Sequence, residues 1–264
     1  MNAIETNEIS LQRHEFQLSD ISISIPKHKI TTIVGPNGSG KSTFLKIVSR
    51  LIKANNGIIT VNGKNIHRYK SKEFAKELAM LPQSKEHLPN MTVRELISFG
   101  RSPYKSMFKH RLNKEDEEII AKAMRVTDTT KYKDRLFYSL SGGEQQRVRI
   151  AMALAQNTDI ILLDEPTTYL DMAHQFEVME LLQTINEEYR STIVMVLHDL
   201  QQAAMYSHFM IAMKKGKVVA EGKPHELLTS EFLRNVYEID AKIAFKDGYP
   251  FIIPNLRGNK VCIS

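Results

Sequence analysis

The sequence predicts an α/β fold with a parallel-sheet core, an N-terminal antiparallel β layer and a helical lobe inserted into the core. Three observations predict it. Short apolar runs at residues 159–163, 192–197 and 209–213 alternate with helical stretches such as 173–188, the pattern of parallel strands joined by crossover helices. A glycine-rich turn at residues 35–40 lies between an apolar strand and an amphipathic helix. Residues 84–156 read as helix, so the sheet-forming segments fall into two groups around them.

Taken in order, Ile21, Ile23 and Ile25 alternate with Ser22 and Ser24 and stop at Pro26, which predicts an edge strand. A buried strand follows at 29–34. From Gly40 a helix carries Phe44, Leu45, Ile47 and Val48 on one face. Asn55-Asn56-Gly57 and Asn62-Gly63 are turn sequences that bracket a strand at 58–61. Within the lobe, Thr92 and Glu95 form a capping-box pattern, and Asn113 starts a helix expected to bury Ile119, Ile120, Ala123 and Met124. The tail, 227–264, is expected to hold a short helix and a hairpin around Asp247-Gly248, with no function assigned. The chain is therefore read as one domain: core and β layer at 1–83 and 157–226, lobe at 84–156, and the tail.

Composition narrows the classes. With 42% hydrophobic and 25% charged residues the chain resembles an ordinary globular protein. Its single cysteine, Cys262, permits no intrachain disulfide, and no apolar run approaches the ~20 residues that span a bilayer. Residues 1–18 lack the features of a secretory signal, so the expected place is the cytosol. Net charge is +6, but Lys and Arg are scattered and the longest block is Lys214-Lys215, so no nucleic-acid partner is expected.

The chemistry begins at Gly35-Pro36-Asn37-Gly38-Ser39-Gly40-Lys41-Ser42-Thr43, which fits G-x-x-x-x-G-K-[ST]. Glycines let successive N–H groups turn toward phosphate oxygens, and a helix N-terminus adds about half a positive charge. A nucleoside triphosphate suits such a cradle. Lys41 would reach the β- and γ-phosphates, and the Ser42 hydroxyl would ligate Mg²⁺, which prefers oxygen ligands. Further on, four apolar residues end in Asp164-Glu165, placing two carboxylates at the C-terminal end of a buried strand, where α/β sheets bind ligands. Asp164 would hold Mg²⁺ through a water, and Glu165 could accept the proton of an attacking water. A third feature is Leu140-Ser141-Gly142-Gly143-Glu144-Gln145-Gln146-Arg147 at the start of a helix. Locally Ser141 and Glu144 make a capping box, but the paired glycines also offer a second phosphate-binding terminus.

That octet resembles the signature motif of ATP-binding cassette (ABC) ATPases, and the resemblance covers about residues 4–226. It implies a RecA-like P-loop NTPase core. Gln83, after Met80-Leu81-Pro82, resembles the family's glutamine that senses Mg²⁺ and the attacking water. Asp171, in Thr168-Tyr169-Leu170-Asp171, resembles part of a loop that crosses the dimer interface, and His198 resembles the switch histidine that touches the γ-phosphate. The resemblance further implies a head-to-tail homodimer in which each ATP lies between one chain's phosphate loop and the partner's Ser141, Gly142 and Gly143. It also implies integral membrane permease subunits as partners, a substrate-binding lipoprotein or periplasmic protein as an indirect one, and a peripheral place on the cytoplasmic face of the membrane. The family usually stacks an aromatic ring on adenine, but the matching stretch is Gln12-Arg13-His14. His14 or Arg13 is expected to stack instead, with Phe16 as the further choice.

The string Gly100-Arg101-Ser102-Pro103-Tyr104 resembles the lobe of importers for iron siderophores, haem and vitamin B12. Uptake of an iron chelate is the resulting expectation, with haem or vitamin B12 import, or an ABC ATPase not coupled to transport, as alternatives. A P-loop kinase would leave the second glycine-rich terminus unexplained. Relatives acting on DNA or ribosomes carry coiled-coil insertions or two cassettes, and this chain has neither.

Overall fold

The computed structural model describes residues 1–83, 90–105, 112–246 and 249–255. The first residues of the expected lobe from Ser84, the Asp247-Gly248 turn and Cys262 lie outside them. The chain opens with a strand that the sequence reading did not predict, β1 (Asn2–Arg13), followed by β2 (Phe16–Ile21), β3 (Ser24–Pro26) and β4 (Ile30–Val34). The edge strand expected at 21–25 is thus divided. The Thr6 hydroxyl of β1 donates to the Ile21 carbonyl and accepts from the Ile23 amide, each at 3.0 Å, taking the place of ladder bonds from β1 to the residues that separate β2 from β3. Ile21, Ile23 and Ile25 are nevertheless all buried, so the period-two pattern was sound.

After β4 come α1 (Lys41–Val48), β5 (Asn56–Val61), β6 (Lys64–Asn65), α2 (Ser71–Glu77) and β7 (Leu78–Leu81). Strand β1 pairs with β2, β3 and β5, and β5 pairs with β6, giving the antiparallel layer. The lobe contains α3 (Val93–Ser98), α4 (Lys114–Val126) and α5 (Gly142–Ala155). Both expected caps form: the Thr92 hydroxyl accepts from the Glu95 amide, and the Asn113 side chain accepts from the Asp116 amide. Ile120, Ala123 and Met124 are buried as expected, while Ile119 is only half-buried on the flank of α4.

The chain then returns to the core through β8 (Ile160–Asp164), α6 (Met172–Tyr189), β9 (Thr192–Val196), α7 (Leu200–Tyr206), β10 (Phe209–Lys214) and β11 (Lys217–Gly222). The main sheet has the order β11-β10-β4-β9-β8-β7, parallel except at β11. All five residues of β4, β8 and β9 are buried, as a strand covered on both faces requires. One face packs on the β layer through Ile4, Leu18, Phe44 and Val61, and the other on α5, α6 and the tail through Val178, Leu182 and Phe232. The lobe has its own apolar cluster built on Val93, Leu96, Ile97, Ile120 and Val148. The tail adds α8 (Pro224–Leu227), α9 (Ser230–Phe232), a π-helical turn at Leu233–Tyr237, and the hairpin β12 (Ala241–Lys246) with β13 (Tyr249–Pro254). The hairpin rests on α7, where the Gln201 side chain donates to the Pro250 carbonyl at 3.3 Å.

Candidate functional site

Parallel strands point their C-terminal ends the same way, and four neighbours in the sheet, β4, β9, β8 and β7, each deliver one expected group. The phosphate loop follows β4, His198 follows β9, Asp164 closes β8 with Glu165 next, and Gln83 follows β7. The sheet order therefore gathers residues that lie more than a hundred positions apart in the chain.

In the loop, Gly35, Gly38 and Gly40 have φ of 143°, 75° and 103°, conformations that L side chains rarely adopt. Gly35 is additionally fixed by space, since a Cβ there would lie 2.0 Å from the Met213 carbonyl oxygen of β10. Pro36 is half-buried, Asn37 is exposed and Ser39 is buried, while Thr43 sits half-buried in the first turn of α1. Lys41 is buried, and its Nζ donates to the Gly35 carbonyl at 2.8 Å and the Pro36 carbonyl at 3.0 Å, so the ammonium is held over the loop. Burial pushes the Lys41 pKa down, against the opposing pull of the Glu165 and Asp164 carboxylates.

Ser42 Oγ donates to Asp164 Oδ1 at 2.7 Å. Burial raises the Asp164 pKa, the Ser42 hydrogen bond opposes that, and the Glu165 charge adds to the rise. A cation at this pair would relieve both effects. The two hard oxygens fit Mg²⁺, and among the described residues no group of three or more His, Cys, Asp or Glu is arranged for a metal. That sparse donor set suits an ion completed by phosphate oxygens and water.

Glu165 stands in the left-handed region at φ 54°, a strained setting for a glutamate, and such strain concentrates at functional sites. Three donors surround its carboxylate. Gln83 Nε2 lies 2.5 Å and Thr168 Oγ1 2.9 Å from Oε2, and His198 Nε2 lies 2.6 Å from Oε1. Gln83, Glu165 and His198 thus meet, as the sequence reading expected for a catalytic group, and Thr168 joins them. Thr168 was not anticipated as a partner. Its hydroxyl, three residues past the acid, was the available signal.

Ser141 caps α5: its Oγ accepts from the Glu144 amide at 3.3 Å, and Glu144 Oε2 accepts from the Ser141 amide at 2.8 Å. Neither of the paired glycines has positive φ, and only Gly143 is required by packing, since a Cβ on Gly142 would stay 3.6 Å from Leu170. A Cβ on Gly143 would lie 2.6 Å from the His174 ring on α6. Asp171 caps α6 by accepting from the His174 amide at 2.9 Å, and its side chain is exposed. Gly142 and Gln145 of α5 face Gln83, Asp164 and Glu165 across a cleft of about 340 Å³ between lobe and core. No residue of the 35–43 loop lines that cleft, although Asp164, which does, is bonded to Ser42 of the loop. His14, at φ 49°, and Arg13 form the exposed tip between β1 and β2. The Phe16 ring lies lower, its Cζ 3.1 Å from where a Cβ on Gly40 would be.

The family model for ABC transporters matches residues 18–168. The iron(3+)-hydroxamate import ATP-binding protein FhuC of Bacillus subtilis is 50% identical over 244 residues, covering 92% of this chain and 90% of the relative. The chain belongs to the ABC transporter family. It is an ATP-binding subunit of the ATPase type, and such subunits work with membrane permease partners and as dimers. Similar relatives include the petrobactin import ATP-binding protein FpuC of Bacillus anthracis, 48% identical over 95% of this chain and 92% of its own. Another is the ferric enterobactin transport ATP-binding protein FepC of Escherichia coli, 43% identical over 89% and 87%. Among solved structures, an inward-facing metal-chelate type ABC transporter aligns with a TM-score of 0.84 at 25% identity over 97% of this chain and 99% of that one. A dimeric bacterial ABC cassette, MJ0796, aligns at 0.71 and 28% over 84% and 98%.

In this ABC subunit the Gly100–Tyr104 string has a physical explanation within the lobe. A Cβ on Gly100 would strike the Met152 carbonyl oxygen at 2.3 Å. Arg101 is buried, its Nε bonded to Asp116 Oδ1 at 2.8 Å and its Nη1 to the Ala155 carbonyl at 3.0 Å. Tyr104 stacks beneath the guanidinium at 3.8 Å and donates to the Asn157 carbonyl at 3.3 Å. The string clamps α4 to α5. Among the described residues no helix is long and apolar enough to cross a membrane.

Proposed function

We propose that this subunit hydrolyses ATP to drive uptake of an iron–siderophore or related iron chelate through separate integral membrane permease subunits, from the cytoplasmic face of the membrane. The observation that carries the catalytic half is the Glu165 carboxylate, oriented by Gln83, Thr168 and His198 beside the Ser42–Asp164 pair. The cargo rests on relatives whose names specify hydroxamate, petrobactin and enterobactin transport. A substrate-binding lipoprotein or periplasmic protein would deliver that cargo to the permease.

In this reading residues 35–43 bind the triphosphate, Lys41 would neutralise the β- and γ-oxygens, and Ser42 and Asp164 would hold Mg²⁺. Mg²⁺ would supply charge neutralisation of the phosphates. The attacking water would bind beside Glu165 with nucleotide present, taking over the place in which Gln83 Nε2 now donates to the carboxylate. Glu165 takes its proton as oxygen bonds to the γ-phosphorus and the bond to the β-phosphate oxygen breaks, while His198 holds the γ-phosphate. The second set of donors, Ser141, Gly142 and Gly143 with Glu144 and Asp171 behind them, would come from a second copy. Support for that pairing comes from the dimeric cassette aligned above. His14 or Arg13 would stack on the base at the hairpin tip.

The test is deletion of the gene followed by growth and labelled ferric-siderophore uptake under iron limitation. Loss of both that is restored by the wild-type gene supports the proposal. Unchanged iron uptake with lost haem or vitamin B12 uptake redirects the cargo, and no uptake defect of any kind overturns transport.

A further inference from the structure

The phosphate loop is braced from behind by the tail, a segment outside the stretch matched by the family model. The π-helical turn Leu233–Tyr237 packs beneath β10 and the loop, and two bonds lock it there. Lys214 Nζ, at the end of β10, donates to the Asn235 carbonyl at 2.6 Å and pairs with Glu238 at 2.9 Å. The turn ends at Glu238 in the left-handed conformation, φ 61°, which brings Tyr237 into the gap behind the loop. Together with Pro36, Asn37, Gly38, Ser39 and Lys214, Tyr237 lines a cavity of about 220 Å³ there.

The Tyr237 hydroxyl is buried, lies against the Gly35 backbone, and completes no well-formed hydrogen bond. Burial pushes its pKa up, with the Gly35 amide opposing, so the phenol stays neutral. A buried hydroxyl without a good partner costs folding stability that phenylalanine in the same place would not. Packing therefore explains the ring and leaves the oxygen over. The backbone next to the oxygen is that of Gly35, the first residue of the phosphate loop, whose carbonyl holds Lys41 Nζ at 2.8 Å. Gly35 is also close against β10, where an added Cβ would lie 2.0 Å from the Met213 carbonyl oxygen, so the residue has little room to shift that way.

We infer that Tyr237 is a positioning residue for nucleotide binding: its hydroxyl sets the Gly35 peptide, and through it the resting place of Lys41, so that the tail tunes the loop's affinity for ATP. This rests on the reading of residues 35–43 as the ATP-binding loop. A side chain acting on loop geometry changes how well the triphosphate is held and leaves the proton transfer at Glu165 alone.

The test compares the full-length wild-type chain with Tyr237→Phe and Lys41→Ala, measuring the ATP dissociation constant, KM and kcat of ATP hydrolysis, and Tm. Tyr237→Phe is expected to weaken ATP binding and raise KM about 3–10-fold, with kcat within about twofold and Tm unchanged or higher. A hydroxyl with no part in positioning the loop would give a Tyr237→Phe chain with Tm unchanged or higher and with ATP affinity and KM in place. ATP affinity and KM within twofold of wild type in Tyr237→Phe overturn the inference, whatever Tyr237→Ala does. If the wild-type chain itself binds ATP no better than Lys41→Ala, the reading of the loop fails instead, and the two failures are told apart.

Discussion

Replacing Glu165 by Gln removes one thing the site needs and preserves most of what surrounds it. The side chain keeps its volume, but three donors now face a group with a single acceptor oxygen: Gln83 Nε2 and Thr168 Oγ1 on one side and His198 Nε2 on the other. At least one donor must turn to water, which the half-exposed His198 can do at little cost. Fold and nucleotide binding should therefore survive, with Tm within a few degrees of wild type. Loss of a positioned general base lowers turnover by about 10²–10⁴, or about 3–5 kcal/mol in the barrier. Steady-state phosphate release measures the rate, and size-exclusion chromatography with ATP and Mg²⁺ measures the dimer. The expected result is near-absent turnover together with a dimer that persists in ATP. Turnover within about tenfold of wild type would refute Glu165 as the proton acceptor, and so would a loss of ATP binding as large as the loss of rate.

Other consequences can be measured alongside. Lys41→Ala should weaken ATP binding itself, since it removes the charge over the loop, and titration with a fluorescent nucleotide separates this from the Glu165 variant. Arg101→Ala leaves Asp116 buried without its partner and should cost about 3–5 kcal/mol, read as urea unfolding of the chain. A loss under 1 kcal/mol would show that the clamp is not what holds α4 to α5. For Asp116, burial alone would raise the pKa, but the Arg101 and Asn113 hydrogen bonds and the Arg101 charge outweigh it and leave the carboxyl below its ordinary value. The pair's contribution is then complete above the unfolded carboxyl's pKa of about 4 and is lost as pH falls through the lower folded value. Acid unfolding of wild type and Asp116→Asn should converge in that range. Gly143→Ala should destabilise by about 1–3 kcal/mol through contact with His174, and adding His174→Ala should restore much of it.

The sequence made the core strands legible because β4, β8 and β9 are buried on both faces and read as mostly apolar runs, interrupted inside only by Thr31 and Thr32 of β4. The phosphate loop and both carboxylates were legible for a related reason, as their chemistry is local to one turn or one strand end. Strand β1 was not. Its register with β5 shifts between Asn7 and Ser10, and Glu8 takes φ 52°, so its alternation is interrupted where a period of two would have revealed it. Strand β7 is only Leu78–Leu81, too short to tell from the end of α2 by periodicity. The convergence of Gln83 and His198 on Glu165 depends on which strands lie side by side, and strand order is a property of the sheet that no local window carries. The Gly100–Tyr104 string was legible as a pattern, but its burial and its clamp on α4 and α5 required coordinates.

That clamp lets the lobe vary apart from the core. A lobe with its own apolar cluster, stapled internally by Arg101, can exchange exposed residues without disturbing Asp164, Glu165 and the 35–43 loop of the core. Whatever stands on that surface, Arg101 between Asp116 and the Ala155 carbonyl, with Tyr104 against it, keeps the lobe a unit of its own.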